Sequence, residues 1–327
     1  MTKKISVAVV GKSGQAAKII SAVKKFENVN LQWVYYPKKI QPNDLPLTDD
    51  FNNIIECDAV IIASPTYTHA DYLDKLKNFK GYILVEKPAV STSKELSQIE
   101  KFPDEWKKRL KVNFNFQYSK IASLIGELVN RPELGTPITL NIYTSHGLAF
   151  SDKYKGSWRS DLKYSFGVLE LVGVHYLNFA ISLFGPIKNY QANLQWNASQ
   201  NNNLPPDTVF LSLVMEKSAT VNLFHSYAGP QLNKILLIGT NGYFEYDGKT
   251  ANLYSPRESY DSQGRFISPP VLEKYDLDWS LAWQESLDNS LADFFKVVES
   301  QSEFSLSQLE NAFLAAKPIF ELREKTK

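Results

Sequence analysis

Short apolar runs alternate with helix-patterned stretches over the first 120 residues, and this alternation narrows the possible folds more than any other feature of the chain. The runs lie at 5–10, 31–36, 59–63, 82–85 and 110–114. Most are apolar on both faces, as central parallel strands covered by helices must be. Between the first two, residues 15–26 place Ala16, Ile19, Ile20, Val23 and Phe26 at helical spacing. Strand, helix and strand in this rhythm predict βαβ units and a doubly wound parallel sheet.

After residue 120 the pattern changes. Residues 121–130 read as a helix, followed by strand-like runs at 136–145, 187–197, 208–216, 220–227, 234–239 and 243–246. Several alternate apolar and polar residues, which suits a sheet with one solvated face. One helix interrupts them at 169–184, and helices at 286–299 and 307–324 follow. Residues 198–206 and 257–279 read as irregular. The expected fold class is α/β: an N-terminal doubly wound sheet plus a C-terminal α+β domain with a large, open, mostly antiparallel sheet. At roughly 150 residues per domain, 327 residues make about two. The expected division is 1–119 for dinucleotide binding and 120–327 for substrate binding and oligomerisation, the C-terminal helix being free to pack back on the first domain.

Charge sets limits on partners. Lys plus Arg number 36 and Asp plus Glu 35, so no global field draws nucleic acid or an anionic membrane. No apolar run approaches the 18 or so residues that span a bilayer. Cys57 is the single cysteine, which excludes an internal disulfide and any cysteine-built metal cluster. The four histidines lack metal-ligand spacing, so no metal is expected. Lys3 and Lys4 precede an apolar run, but it stops at Gly11-Lys12 with no cleavage site, and a buried strand is the better reading than a secretory signal. A cytoplasmic protein is expected.

Three short stretches could carry chemistry. Gly11-Lys12-Ser13-Gly14-Gln15-Ala16 joins the first strand to the first helix, where G-x-G-x-x-G/A marks a dinucleotide site in a Rossmann fold. Gly11 supplies the tight turn and Ala16 the small third position. Ser13 stands where the middle glycine lets the backbone approach the pyrophosphate. A turn serving packing alone is the alternative. The second strand then ends in Tyr35-Tyr36-Pro37-Lys38-Lys39, without the carboxylate that would hold a ribose 2′-hydroxyl. Lys38 and Lys39 could meet a 2′-phosphate and Tyr36 could stack on adenine, which favours NADP over NAD; two solvated lysines are the alternative. Lastly, Glu86-Lys87-Pro88 follows the fourth strand, at the edge where such sheets bind ligands, and Ser64-Pro65-Thr66-Tyr67-Thr68-His69 leaves the third strand at the same edge.

With these stretches in view, the whole chain resembles the Gfo/Idh/MocA oxidoreductase family, the relatives of glucose–fructose oxidoreductase and inositol dehydrogenase. Glu86-Lys87-Pro88 matches its most specific tripeptide, and Pro65 with His69 matches T-P-x-x-x-H, where the loop passes the cofactor. Asn113-Phe114-Asn115-Phe116-Gln117-Tyr118 is similar to Y-N-Y-R-F, with Gln117 where arginine is usual. Trp158-Arg159-Ser160-Asp161 is similar to W-R-x-D, and Gly173-Val174-His175-Tyr176-Leu177-Asn178 to G-x-H-x-x-D. Ile238–Glu245 resembles the late G-x-x-G strand pair.

The resemblance implies a site. Lys87 and His175 would be catalytic, surrounding a sugar hydroxyl beside the nicotinamide. Gly11, Lys12, Ser13, Gly14, Gln15, Tyr36, Lys38, Lys39, Ser64, Pro65, His69, Glu86, Lys87 and Asn115 would hold NADP or NAD. Gln117, Trp158 and Arg159, with Lys87 and His175, would hold a sugar, nucleotide sugar or cyclic polyol. A homodimer or homotetramer would form through the second sheet. One departure bears on catalysis: four residues before His175, where the family carries aspartate, stands Leu171, while Glu170 is one residue away, about 100° round an α-helix. With Ser13 and Gln117 this motivates an alternative, a non-redox member that binds sugar or cofactor or serves as a partner subunit. His146 and His225 carry no motif.

Overall fold

A computed structural model describes residues 4–38, 44–199, 201, 203–217 and 219–326. Lys39 lies outside the described residues. The chain forms two compact units, residues 1–115 with 287–327, and residues 116–286.

In the first unit, with elements numbered in chain order, β1 (Ile5–Val10), α1 (Gln15–Val23), β2 (Val29–Tyr35), β3 (Leu47–Thr48), α2 (Asn52–Ile55), β4 (Ala59–Ile62), α3 (His69–Lys75), β5 (Tyr82–Glu86), α4 (Ser93–Ile99), α5 (Asp104–Lys107) and β6 (Leu110–Asn113) follow one another. The strands are all parallel and lie in the order β3-β2-β1-β4-β5-β6, the doubly wound order expected. Strands in the middle of such a sheet must be apolar on both sides, and Val7, Ala8, Val9, Val60, Ile61 and Ile62 are all buried. On one face Val7, Val9 and Ile61 share a core with Ala16, Ile19 and Val23 of α1. Leu291, Phe294, Phe295 and Val298 of the helix Trp279–Glu299 complete that core. Burial of each such side chain contributes about 1.5–3 kcal/mol.

The second unit holds α6 (Lys120–Leu128), β7 (Pro137–Ser145), α7 (Val174–Phe184), β8 (Ile187–Gln195), β9 (Thr208–Met215), β10 (Thr220–Ser226), β11 (Leu232–Gly239), β12 (Tyr243–Tyr246), β13 (Thr250–Tyr254) and β14 (Val271–Asp276). Then come α8 (Trp279–Glu299), which belongs to the first unit from Leu287 on, and α9 (Leu306–Thr326) in the first unit. Eight strands lie in the order β14-β13-β12-β11-β7-β10-β9-β8. Every pair is antiparallel except β7 with β10. Leu140, Ile142, Leu211, Leu213, Val221 and Leu223 are buried while Phe210 and Val214 are exposed, the period of two that one solvated face imposes.

Two local expectations change. Residues 271–276, expected to be irregular, pair with β13 as β14. The stretch 169–184 is not one α-helix: Leu169–Gly173 is a π-helical turn that leads into α7.

Candidate active site

The carboxyl ends of β1 and β4 meet where the strand order of the first sheet reverses, the place at which such sheets bind ligands. Gly11 has φ of 111°, and a Cβ there would stand 3.2 Å from the Ala63 carbonyl oxygen and 3.2 Å from the Ala16 Cβ. The small residues of the turn are thus required by close approach of backbone to backbone. Gly14 precedes α1, no side chain caps the helix, and nothing stands where a Cβ on Gly14 would be. The first N–H groups of this nine-residue helix have no side-chain cap, and with the helix dipole they could receive a dinucleotide phosphate. Ser13 is exposed in the same turn.

Tyr36 follows β2, and the Lys12 ammonium lies 4.1 Å above the centre of its ring. Lys38 is exposed. Asp49 and Asp50, beyond β3, are near enough to push the Tyr35 phenol up, although burial is the larger cause. Asp50 is committed to the start of α2, where it accepts from the Asn52 N–H at 2.9 Å.

Glu86 ends β5 as a buried carboxylate. Its Oε1 accepts from Asn113 Nδ2 at 2.7 Å and from Gln15 Nε2 at 3.2 Å, and Asn113 Oδ1 accepts from Ser290 Oγ at 2.7 Å. Burial raises the Glu86 carboxyl above the usual range, against the opposing pull of the Lys87 ammonium and of these donors. The network ties the glycine turn to the base of Lys87. Lys87 itself is half-buried and is joined to Pro88 by a cis peptide.

His69 is the second tie. It is 1% exposed and lies between two carbonyls, Nδ1 at 2.9 Å from Pro88 O and Nε2 at 2.9 Å from Ser64 O. Burial lowers its pKa, the two carbonyls act against that, and Lys87 adds to the lowering. Thr68 Oγ1 donates to Pro65 O at 2.7 Å and fixes the turn. The first unit thus brings together Gly11, Lys12, Gly14, Gln15 and Tyr36 around the glycine turn, and Ser64, Pro65 and His69 beside Lys87. Asn115, at the end of the segment that follows β6, is buried.

In the second unit His175 stands one residue into α7 and is 3% exposed. Trp283 meets it edge-on, with ring centres 5.2 Å apart. One turn on, Asn178 Oδ1 accepts from Gln117 Nε2 at 2.5 Å. Gln117 and Asn178, from two separate stretches of the sequence, are therefore partners in a neutral pair. Trp158 and Arg159 share a 3₁₀ turn with the guanidinium 4.6 Å above the indole, and both are half-buried.

Leu171 keeps its place four residues before His175. The π turn changes what its neighbour does. Residues five apart are separated by about 140° in an α-helix, whereas an i→i+5 turn brings them towards one side. Glu170 lies within this turn, so an α-helical spacing does not set its direction. It is 1% exposed and accepts from the Phe166 N–H; burial is what mainly raises the Tyr227 phenol, a shift to which Glu170 adds and which Arg159 opposes. His225 is fully buried against Tyr176, with ring centres 5.0 Å apart, and its Nδ1 lies 2.7 Å from Thr144 Oγ1. These contacts give it a packing role.

The sequence reading missed Trp279, Trp283 and Tyr227. The four-residue spacing of the two tryptophans was a signal. It went unread because residues 257–279 looked irregular and the helix was expected to begin only at 286.

The chain was compared with known proteins. Residues 5–114 match the model of an oxidoreductase family with an NAD-binding Rossmann fold, and residues 123–245 match the GFO/IDH/MocA C-terminal domain. A glucose-6-phosphate 3-dehydrogenase of Bacillus subtilis is 24% identical over 187 residues, 54% of this chain and 53% of that protein. The match thus spans about half the length of that relative. The structure of a levoglucosan dehydrogenase in complex with NADH and levoglucosan superposes with a TM-score of 0.78, at 15% identity over 99% of this chain and 98% of that one. A myo-inositol dehydrogenase from Corynebacterium glutamicum gives 0.76, at 15% identity over 99% and 96%. At such identities the two structures establish the fold.

Proposed function

Because the chain belongs to the GFO/IDH/MocA oxidoreductase family, we propose that it is an NAD(P)-dependent dehydrogenase or reductase. Its substrate is a sugar, a nucleotide sugar or a cyclic polyol. The observation that carries this reading is the carboxyl edge of the first sheet, where the glycine turn, Glu86 and Lys87 are tied together through Gln15 and Asn113. The likeness to dehydrogenases of glucose 6-phosphate, levoglucosan and myo-inositol supports the substrate class.

Lys87 and His175 are the proposed catalytic residues, and Gln117, Trp158 and Arg159 further substrate contacts. The bound dinucleotide supplies the hydride acceptor or donor. As a C–H bond of the substrate is lost, the hydroxyl proton must leave too. His175 takes it, an imidazole nitrogen being a common general base near neutral pH. The Lys87 ammonium donates a hydrogen bond to the same oxygen and stabilises its developing charge. In the reductive direction His175 returns the proton, and Lys87 stabilises the same charge on oxygen. Lys87→Ala is expected to reduce kcat/KM by about 10²–10⁴; unchanged turnover would remove the assignment.

NADP is the preferred cofactor in this reading. Lys12 over Tyr36, with Lys38 following, offers cations to a 2′-phosphate, and Asp50 is occupied at α2. Titration with NADPH and NADH, followed by nicotinamide fluorescence, tests it. NADPH is expected to bind about tenfold tighter or more. Equal affinity would overturn the preference, and binding of neither would overturn the oxidoreductase reading. The binding-only alternative is not favoured: Gln117 is matched by Asn178, and Glu170 keeps a buried carboxylate beside α7.

A homodimer or homotetramer through the outer face of the second sheet is part of the proposal, because Phe210 and Val214 are exposed there. A monomer mass in gel filtration at micromolar concentration would sink it. Among the described residues no helix is long and apolar enough to cross a membrane, and the cytoplasm is the proposed location.

A further inference from the structure

We propose that Trp283, with Trp279 beside it, is a stacking platform for the C–H face of a ring substrate, and that it selects cyclic sugars and polyols over open-chain ones. The proposal rests on the reading of His175 as the residue that takes the hydroxyl proton.

The two tryptophans are one helical turn apart at the start of α8 and so share a face. Their rings are stacked, with centres 5.7 Å apart and planes at 22°. Phe116 backs both, at 6.1 Å from Trp279 and 6.2 Å from Trp283. Tyr246 lies 6.2 Å from Trp279 on the far side. The pair is therefore held rigid from behind, and both indoles remain part-exposed. Two adjacent indoles that both keep some exposed area offer an apolar surface that a ligand face can cover.

The position of His175 chooses the occupant. It is buried, and Trp283 stands edge-on to it at 5.2 Å with an interplanar angle of 78°. A hydroxyl within about 3 Å of the imidazole nitrogen brings the rest of its own ring alongside Trp283. A six-membered ring with mostly equatorial hydroxyls points its axial C–H bonds above and below the mean plane. Those hydrogens carry the partial positive charge that the negative face of an indole attracts, as it attracts the positive edge of another ring. An open-chain polyol turns hydroxyls to every side and has no such face. The neutral Gln117–Asn178 pair on the following turn of α7 leaves amide groups, not a net charge, beside this surface, which suits an uncharged polyhydroxyl ring.

The test is a set of titrations of the full chain with myo-inositol, methyl β-D-glucopyranoside and sorbitol, followed by tryptophan emission. Wild type, Trp283→Phe, Trp283→Leu and Trp279→Leu are compared. Both ring compounds are expected to change the emission and to bind about tenfold tighter than sorbitol. Trp283→Leu should weaken them about tenfold, and Trp283→Phe should keep most of the affinity. With any substrate that turns over, Trp283→Leu should raise KM and leave kcat within about twofold. Sorbitol binding as tightly as the rings would overturn the proposal without any variant. So would Trp283→Leu that binds NADPH normally and holds the rings within twofold of wild type. Loss of NADPH binding by the wild type would instead strike the oxidoreductase reading, and the ring-against-sorbitol comparison would still judge the platform.

Discussion

Gln117 and Asn178 meet across 61 positions of sequence, at two places where the resembled motifs carry an arginine and an aspartate. Gln117 was legible as a departure, and Asn178 stood inside a motif that was read as a match. That the two meet was not legible, because only the fold brings them into contact. His225 shows the same limit in reverse. In sequence it is a histidine in a strand without a motif; in the structure it is fully buried and stacked on Tyr176, and among the described residues its Nε2 has no hydrogen-bond partner. Burial pushes its pKa from 6.5 down to about 3. The sign follows from linkage. As pH falls, the unfolded chain takes the proton first, so stability is full above about 6.5 and is lost between there and about 3. The loss is about 1.4 kcal/mol per pH unit over that window. His225→Phe keeps a ring against Tyr176 and removes the titration, so its midpoint of urea unfolding should fall less steeply between pH 6 and 4. Equal slopes for the two proteins would show that the acid sensitivity lies elsewhere.

Among the elements, those with period or apolarity on their side were readable. β1, β4 and β5 are buried along nearly their whole length, and a run without polar residues can be little else than a covered strand. α2 and α5 have four residues each, too few for any helical period to register. β14 offers one buried-facing position in two at best and is mostly exposed, because it forms the edge of its sheet. Beyond its pairing with β13, it is held by Arg131, whose guanidinium donates to Glu273 and keeps that carboxyl down at about 2. The turn between β1 and α1 was legible in its glycines, and its tolerance can be predicted. Gly11→Ala would force φ of 111° on a residue with a side chain and press its Cβ to 3.2 Å from the Ala63 oxygen. A loss of about 1–3 kcal/mol is expected, read as a lower unfolding midpoint, together with weaker NADPH binding. Unaltered binding would mean that the turn does not face the dinucleotide.

At the level of the whole molecule, the first unit is discontinuous. Leu291, Phe294, Phe295, Val298 and Phe304 fill a core whose strands lie roughly 200 to 300 residues earlier in the chain. A chain cut after Ser286 would lose all five side chains and expose the sheet face that they cover. At about 3–5 kcal/mol for removing one large buried aromatic, and with 5–15 kcal/mol holding a typical domain together, the first unit should not fold. The expected result is loss of NADPH binding and of one unfolding transition in calorimetry, with the transition of residues 116–286 retained. A truncated chain that still bound NADPH would refute this dependence.

That discontinuity also sets an order of events during synthesis. Domains ordinarily fold in turn as they leave the ribosome, the N-terminal one first. Here residues 116–286 are complete while the earlier unit still lacks its closing helices. The nascent sheet of β1–β6 must wait, with its apolar face bare, through the translation of some 170 further codons. This is the interval in which a chaperone would find the most to hold.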